Sequence, residues 1–115
     1  MKYLCLIYDE EAKWATMTQD EAGKWMAEYG TFTGDIQKSG HLVGANRLQP
    51  SSTATTIRNR GGKVSTTDGP YAETKEQLAG YYLIEAKDLN DAVQVASRIP
   101  SAKLGAIEVR PIHAM

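Results

Sequence analysis

The first strand of this chain constrains the fold most, because its side chains are apolar on both faces. Residues 2–8 read Lys-Tyr-Leu-Cys-Leu-Ile-Tyr and are followed by acidic residues at 9–11. A strand with one wet face alternates apolar and polar residues, whereas this run is apolar at odd and even positions alike. We therefore predict a strand at 2–8 that is covered on both sides, followed by a loop at 9–17.

The strongest helix signal lies at residues 19–38. Thr18 and Glu21 have the spacing of a capping box, in which each side chain accepts the other residue's backbone N–H. Gly40 follows as a stop signal. Apolar residues at spacings of three and four predict one buried stripe on this helix. The stripe comprises Ala22, Trp25, Met26, Tyr29, Phe32, Thr33 and Ile36.

The rest of the chain predicts five more strands and a second helix. Gly61-Gly62 separates two β-branched segments and indicates a hairpin. Asp88 or Asn90 would cap the second helix, and Pro100 would end it. The strands are predicted at 41–48, 53–59, 63–67, 80–86 and 105–110, the second helix at 89–98, and a short helical turn at 74–78. The apolar stripe of the second helix would be Leu89, Ala92, Val93, Ala96 and Ile99.

The order strand, helix, strand, hairpin, strand, helix, strand is typical of a ferredoxin-like α+β sandwich with an inserted β-hairpin. Two helices cover only one face of such a sheet. Tyr81 and Tyr82 nevertheless place rings on opposite faces, as the first strand does with its own side chains. Soluble monomers seldom expose a large apolar face, so a two-fold dimer with sheets packed face to face is favoured. In the alternative, the loop at 9–17 folds over that face with Trp14 and Met17.

Composition excludes several classes of function. The 115 residues fit one domain, 1–115, and 13 basic residues balance 14 acidic ones for a net charge of -1. This balance predicts neither a nucleic-acid partner nor a membrane partner. Cys5 is the single cysteine, which favours a reducing cytoplasm over secretion. With two histidines and no Cys-x-x-Cys, we expect neither a metal site nor a cofactor.

The segment 68–77, Asp-Gly-Pro-Tyr-Ala-Glu-Thr-Lys-Glu-Gln, is a stiff acidic turn between two strands. Gly69 can adopt backbone angles closed to other residues, and the proline after it fixes its own φ. Asp68 either closes this turn through its side chain or acts as a general base held on a rigid loop. Glu73 is either a surface residue or a second carboxylate beside it. Tyr71 is either a packing ring or a proton donor.

Three further positions leave two interpretations open. His41 opens a strand, where it is either a solvated turn residue or an acid–base group. Arg47 and Arg58 are either solvated edge residues or anion contacts. Trp14 either closes a pocket or covers the sheet.

The chain resembles the YCII-related proteins of the DGPF branch. The resemblance rests on the start 1–8, on Leu48-Gln49-Pro50 with the threonines of 53–56, on 68–78, on 80–84 and on the closing Glu108-Val109-Arg110-Pro111. Tyr71 stands where the branch has the Phe of Asp-Gly-Pro-Phe. The resemblance implies a dimeric α/β barrel built from ferredoxin-like subunits. Some members of the wider family look like cofactor-free lyases or dehydrochlorinases of small ring compounds that use a His and Asp pair. In those relatives the His lies near the start of the first helix, whereas the first histidine here is His41, so the pair is not carried over.

The function expected from these observations is binding of a small organic molecule by a cytoplasmic homodimer. Its activity would be that of a cofactor-free lyase or isomerase, with Asp68 as the base and Glu73, Tyr71 or His41 assisting. The alternative is a non-catalytic module that senses a ligand or regulates a partner. Genes of the DGPF branch often neighbour genes for sigma factors, which makes a sigma factor the partner implied by the resemblance.

The apolar sheet face leads to a prediction about mass. Light scattering at micromolar concentration is expected to give about twice the 12.6 kDa of one chain, because a single subunit would leave one side of its sheet in water. A clean monomer under these conditions would contradict the dimer.

Overall fold

The computed structural model describes residues 1–114, which form an α+β structure with three α-helices and two antiparallel sheets. None of the helices in this part of the chain combines the length and the apolar character needed to cross a membrane. The strands are β1 (Lys2–Asp9), β2 (Leu42–Arg47), β3 (Thr55–Arg60), β4 (Lys63–Asp68), β5 (Gln77–Glu85) and β6 (Ala106–Pro111). The helices are α1 (Glu11–Ala15), α2 (Gln19–Lys38) and α3 (Leu89–Ala96), with 3-10 turns at Ser51–Thr53 and Pro100–Lys103.

The main sheet has the strand order β2-β5-β1-β6, and every neighbouring pair is antiparallel. This order, with α2 between β1 and β2 and α3 between β5 and β6, is compatible with the predicted ferredoxin-like sandwich. β1 is a central strand: Cys5 lies opposite Tyr82 of β5 on one side and Val109 of β6 on the other. β3 and β4 form a separate two-stranded sheet.

The core lies between the main sheet and the helices. From β1 it takes Tyr3, Cys5 and Ile7, which are at most 6% exposed. Phe32 of α2 meets Tyr82 of β5 edge to face at 5.1 Å between ring centroids. Burial raises the pKa of the Cys5 thiol to about 11, so this cysteine is a core residue and not a reactive thiolate.

The predicted α2 is confirmed in its bounds and in its start. The Thr18 side chain accepts the Glu21 N–H at 3.1 Å, and the Glu21 carboxylate accepts the Thr18 N–H at 3.3 Å. These contacts satisfy two of the backbone donors that every helix leaves free at its N-terminus. Phe32 and Ile36 of the predicted stripe are buried in the core.

Three local predictions are wrong. The segment 9–17 contains α1 and is not a simple loop, and 74–78 forms no helical turn because β5 begins at Gln77. In α3 the buried stripe includes Val95, whereas Leu89 and Val93 of the predicted stripe are 53% and 47% exposed. This helix ends at Ala96, two residues before the predicted bound, and Asp88 caps it by accepting the Asp91 N–H.

The second face of the main sheet carries the even-numbered side chains of β1, Leu4, Leu6 and Tyr8, which are only partly buried. Leu83 and Tyr81 of β5 lie opposite the first two of these and are also half-buried. The molecule is only 18 Å across its shortest axis, as expected for one sheet with one layer of helices. The segment 9–17 does not cover this open face, because Trp14 contacts Trp25 of α2 on the helical side.

The β3–β4 hairpin with its turn at Gly61-Gly62 is confirmed, although β3 begins at Thr55, two residues after the predicted start. Gly61 and Gly62 have φ values of 59° and 85°, which glycine adopts without a steric cost in a two-residue turn. The hairpin pairs only with itself, and Ile57 and Val64 on it are 66% and 65% exposed.

Gly105, just before β6, allows a close approach of two backbone segments. A Cβ placed there would lie 2.0 Å from the Tyr8 carbonyl oxygen and 2.9 Å from the Asp9 Cα. We expect Gly105→Ala to lower the free energy of unfolding by about 1–3 kcal/mol or more, because the backbone has to move. Urea unfolding measures the change. Gly23→Ala is the control, since a Cβ at Gly23 meets nothing within 4 Å. Equal stability of the two variants would contradict the close approach.

Candidate functional site

A cavity of about 840 Å³ opens between α2 and the helical face of the sheet, beside the carboxyl end of β1. Its walls come from α1, α2, β2, β5 and the loop after β2. The lining is largely apolar and aromatic, with a few polar groups, as in most small-molecule sites. Trp14, Tyr29 and Tyr82 supply the rings, and Asp9 and Arg47 supply opposite charges.

Asp9 is the buried carboxylate of this cavity. It is the last residue of β1 and has the same parity as Tyr3, Cys5 and Ile7, so its side chain faces the helices and is 3% exposed. Its Oδ2 accepts the Trp14 indole N–H at 3.0 Å and the Ser101 hydroxyl at 3.2 Å. Its Oδ1 has no hydrogen-bond partner among the described residues. A buried acceptor without a partner is costly and points to a ligand that supplies a donor.

A chain of hydroxyl groups supports the paired oxygen of Asp9. The Ser101 hydroxyl donates to Asp9, so it accepts from the Tyr29 hydroxyl, which lies 2.5 Å away. Burial raises the pKa of Tyr29 against the lowering effect of the Ser101 hydrogen bond, and the charge of Asp9 raises it further. Tyr29 therefore keeps its proton at neutral pH and remains a donor in this chain.

A second hydroxyl pair lies on the α2 wall. The hydroxyls of Thr33 and Tyr82 are 2.7 Å apart, and burial raises the pKa of Tyr82. Both residues line the cavity. The wall therefore offers neutral hydroxyl groups and no additional negative charge.

Glu11, the first residue of α1, lines the cavity and connects two neighbouring segments to this helix. Its carboxylate oxygens accept the backbone N–H of Ser51 at 2.6 Å and the hydroxyl of the same residue at 2.8 Å. Its own N–H donates to the Gln77 side-chain oxygen at 3.0 Å. These contacts fix α1 to the loop after β2 and to the start of β5. Trp14 is thereby placed on the cavity side, which decides between the two interpretations of this residue.

The acidic turn lies at the base of the β3–β4 hairpin and not in the cavity lining. The Gly69 N–H donates to the Ala54 carbonyl at 2.7 Å, and Gly69 has a φ of 111°. This backbone hydrogen bond continues the β3–β4 pairing past Thr55 and Asp68 and fastens the turn to the hairpin. Asp68 and Glu73 are exposed, and Tyr71 is 83% exposed. The Tyr71 ring centroid is 5.9 Å from the Arg58 guanidinium carbon. The structure thus brings Asp68, Tyr71 and Glu73 to one end of the hairpin, and their catalytic role stays a prediction.

His41 lies in a separate cluster at the start of β2. Its Nδ1 is 2.7 Å from the Ser39 hydroxyl, and its Nε2 is 3.2 Å from Asp91 Oδ2. The Lys87 backbone N–H and the His41 side chain lower the pKa of Asp91. His41 does not line the cavity and does not meet the acidic turn. An acid–base role for it also stays a prediction.

Comparison with known proteins fits this architecture. The sequence profile of the YCII-related domain matches residues 1–115. The chain belongs to the YCII-related domain family. It is also similar to Uncharacterized protein R00369 of Rhizobium meliloti (strain 1021), at 34% identity over 114 residues, which cover 97% of this chain and 92% of the relative.

Asp9, the buried carboxylate of the cavity in this YCII-related domain, was not among the site residues predicted from the sequence. The signal was present, because residues 3, 5, 7 and 9 of β1 alternate onto one face and the first three are core residues. Because residues 9–11 are all acidic, they were predicted as the start of a loop, and a buried side chain was not expected there. The sequence left Arg47 either as a solvated edge residue or as an anion contact. Its place in the cavity lining depends on the folded positions of α1 and Trp14. Within residues 1–114, no three His, Cys, Asp or Glu side chains form a group that could hold a metal ion.

The hydroxyl chain leads to a stability prediction. Ser101→Ala removes the donor to Asp9 and the acceptor of Tyr29, so two buried groups lose a partner. We expect a loss of about 1–3 kcal/mol in the free energy of unfolding. Ser97→Ala is the control, because the exposed Ser97 hydroxyl contacts only the Gln94 carbonyl, and we expect a change within about 0.5 kcal/mol. Equal effects of the two substitutions on urea unfolding would contradict the buried chain.

Proposed function

We propose that this YCII-related domain is a homodimeric small-molecule-binding protein that carries out a cofactor-free proton transfer, with Asp9 as the proton acceptor. The observation that carries the proposal is the buried Asp9 carboxylate with one oxygen free of protein partners at a cavity of about 840 Å³. A carboxylate in this setting is suited to take a proton from a bound ligand. Elimination and isomerisation are the reaction classes that require such a base and no bound cofactor.

The roles of the two carboxylate oxygens follow from their contacts. Oδ2 is oriented by Trp14 and Ser101, which stabilise negative charge and fix the side-chain rotamer. Oδ1 takes the proton from a C–H or O–H group of the ligand, and the resulting carboxylic acid returns it to another atom of the ligand or to the leaving group. Fixed orientation raises the rate because the base does not have to be positioned during the reaction.

The open face of the sheet supports a homodimer. Leu4, Leu6, Tyr8 and Leu83 stay partly exposed on the face opposite the helices. A second copy would cover this face through a two-fold sheet-to-sheet contact. The cavity lies on the helical side of the same sheet, so dimer formation leaves it accessible.

A non-catalytic ligand sensor would use the same cavity without turnover. The two functions separate in one experiment: ligands found by binding are incubated with the protein and followed by NMR for exchange of a C–H proton with deuterium from the solvent. Exchange that depends on Asp9 indicates proton transfer, whereas binding without exchange indicates a sensor.

The proposed base is tested by ligand binding. In a fragment screen by thermal shift and NMR, the wild-type protein is expected to bind small polar ring compounds. Asp9→Asn is expected to lower the affinity for these compounds about tenfold or more, because the amide cannot replace the free carboxylate oxygen. Asp35→Asn, on the exposed side of α2, is the control with full binding. If Asp68→Asn removes binding and Asp9→Asn does not, the base is the residue of the acidic turn instead.

A further inference from the structure

The cavity carries opposite charges on two neighbouring parts of its lining. Asp9 is the last residue of β1, and Arg47 is the last residue of β2. The Trp14 indole separates them: its Nε1 is 3.0 Å from Asp9 Oδ2, and its ring centroid is 5.9 Å from the Arg47 guanidinium carbon. One aromatic ring system therefore spans the distance between the carboxylate and the guanidinium.

Neither charge is neutralised by a protein ion pair. No ion pair among residues 1–114 involves Asp9 or Arg47. The other carboxylate of the lining, Glu11, is already occupied by two hydrogen bonds from Ser51. One Arg47 N–H donates to the Met26 sulfur, a weak acceptor, at 4.0 Å. The other guanidinium N–H groups make no hydrogen bond within the described part of the chain and can bind a planar anion such as a carboxylate.

The wall between the two charges is shaped by glycines. Gly30 and Gly34 lie in the interior of α2, where glycine is unfavourable, and both line the cavity. A Cβ at either position would meet no atom within 4 Å. Space is thus left open on the cavity side of α2, and a flat ligand body fits such a space.

We propose that the ligand of this cavity is a small planar organic acid with a hydroxyl group at the end opposite its carboxylate. The carboxylate binds Arg47, the hydroxyl donates to Asp9 Oδ1, and the flat body lies along Gly30 and Gly34. The neutral hydroxyl suits Asp9 because Trp14 and Ser101 already offset charge on its other oxygen. This assignment rests on the proposed function, since it takes the Asp9 cavity as the ligand site.

Calorimetry with matched probes tests the assignment. The probes are 4-hydroxybenzoate, its neutral analogue 4-hydroxybenzamide, and benzoate, which lacks the hydroxyl. Wild-type protein is expected to bind 4-hydroxybenzoate about tenfold or more tightly than either analogue. Arg47→Gln is expected to abolish the preference for the acid over the amide. Arg58→Gln is the matched control, because Arg58 also lies 5.9 Å from an aromatic ring but outside the cavity.

The shape of the wall is tested with the helix glycines. Gly34→Ala is expected to raise Tm, because alanine favours the helix. The same variant is expected to lower the affinity for all three probes. Gly23→Ala, which also lies in α2 but not in the cavity lining, is expected to raise Tm and leave binding unchanged. These two variants separate loss of space from any change in helix stability.

The outcomes distinguish the ligand class from the proposed function. Equal binding of acid and amide, both weakened by Asp9→Asn, overturns the acid class and leaves the cavity as the ligand site. Probe binding that is insensitive to Asp9→Asn overturns both. Absence of binding at millimolar concentration for all three probes overturns the planar acid, and the fragment screen then decides the proposed function independently.

Discussion

The structure depends on the central strand β1 and on the alternation of its side chains. Hydrogen bonding to β5 and β6 on both sides fixes its register, and the register fixes which side chains face the helices. Tyr3, Cys5 and Ile7 then form part of the core. Asp9 follows on the same face of the strand, so its carboxylate is buried. A shift of one residue would bury Leu4 and Leu6 and place Asp9 in solvent. The apolar core thus holds the charged group at the cavity.

The hydrogen bonds of Asp9 are not the arrangement that would give the folded protein its highest stability. Three residues support one of its oxygens directly or through a hydroxyl, whereas the other oxygen has no protein partner. Folding alone would favour pairing both oxygens or replacing the carboxylate by an apolar group. Gly30 and Gly34 of α2 line the same cavity and weaken their helix. A bound ligand gives the unpaired oxygen and the two glycines a physical reason.

Much of the fold could be predicted because its signals are local. The capping box at Thr18 and the two glycines of the hairpin act within a few residues, so their geometry follows from the sequence. The candidate site was harder to predict, because its members are far apart in the chain. The acidic turn attracted attention as a stiff segment, and its stiffness is real, but Gly69 fastens it to the hairpin through Ala54. Rigidity in a loop can therefore serve the scaffold without marking the cavity.

The sequence by itself determined the order of the strands and of the helices α2 and α3, the helix start at Thr18, the hairpin and an apolar β1. These features depend on short-range sterics, capping and side-chain periodicity. Only the tertiary structure decided that Asp9 is buried, because its partners come from 5 and 92 residues away in the chain. It also decided that Trp14 closes the cavity and leaves the second sheet face open. Burial of a charge depends on which distant groups surround it, and that arrangement exists only once the chain has folded.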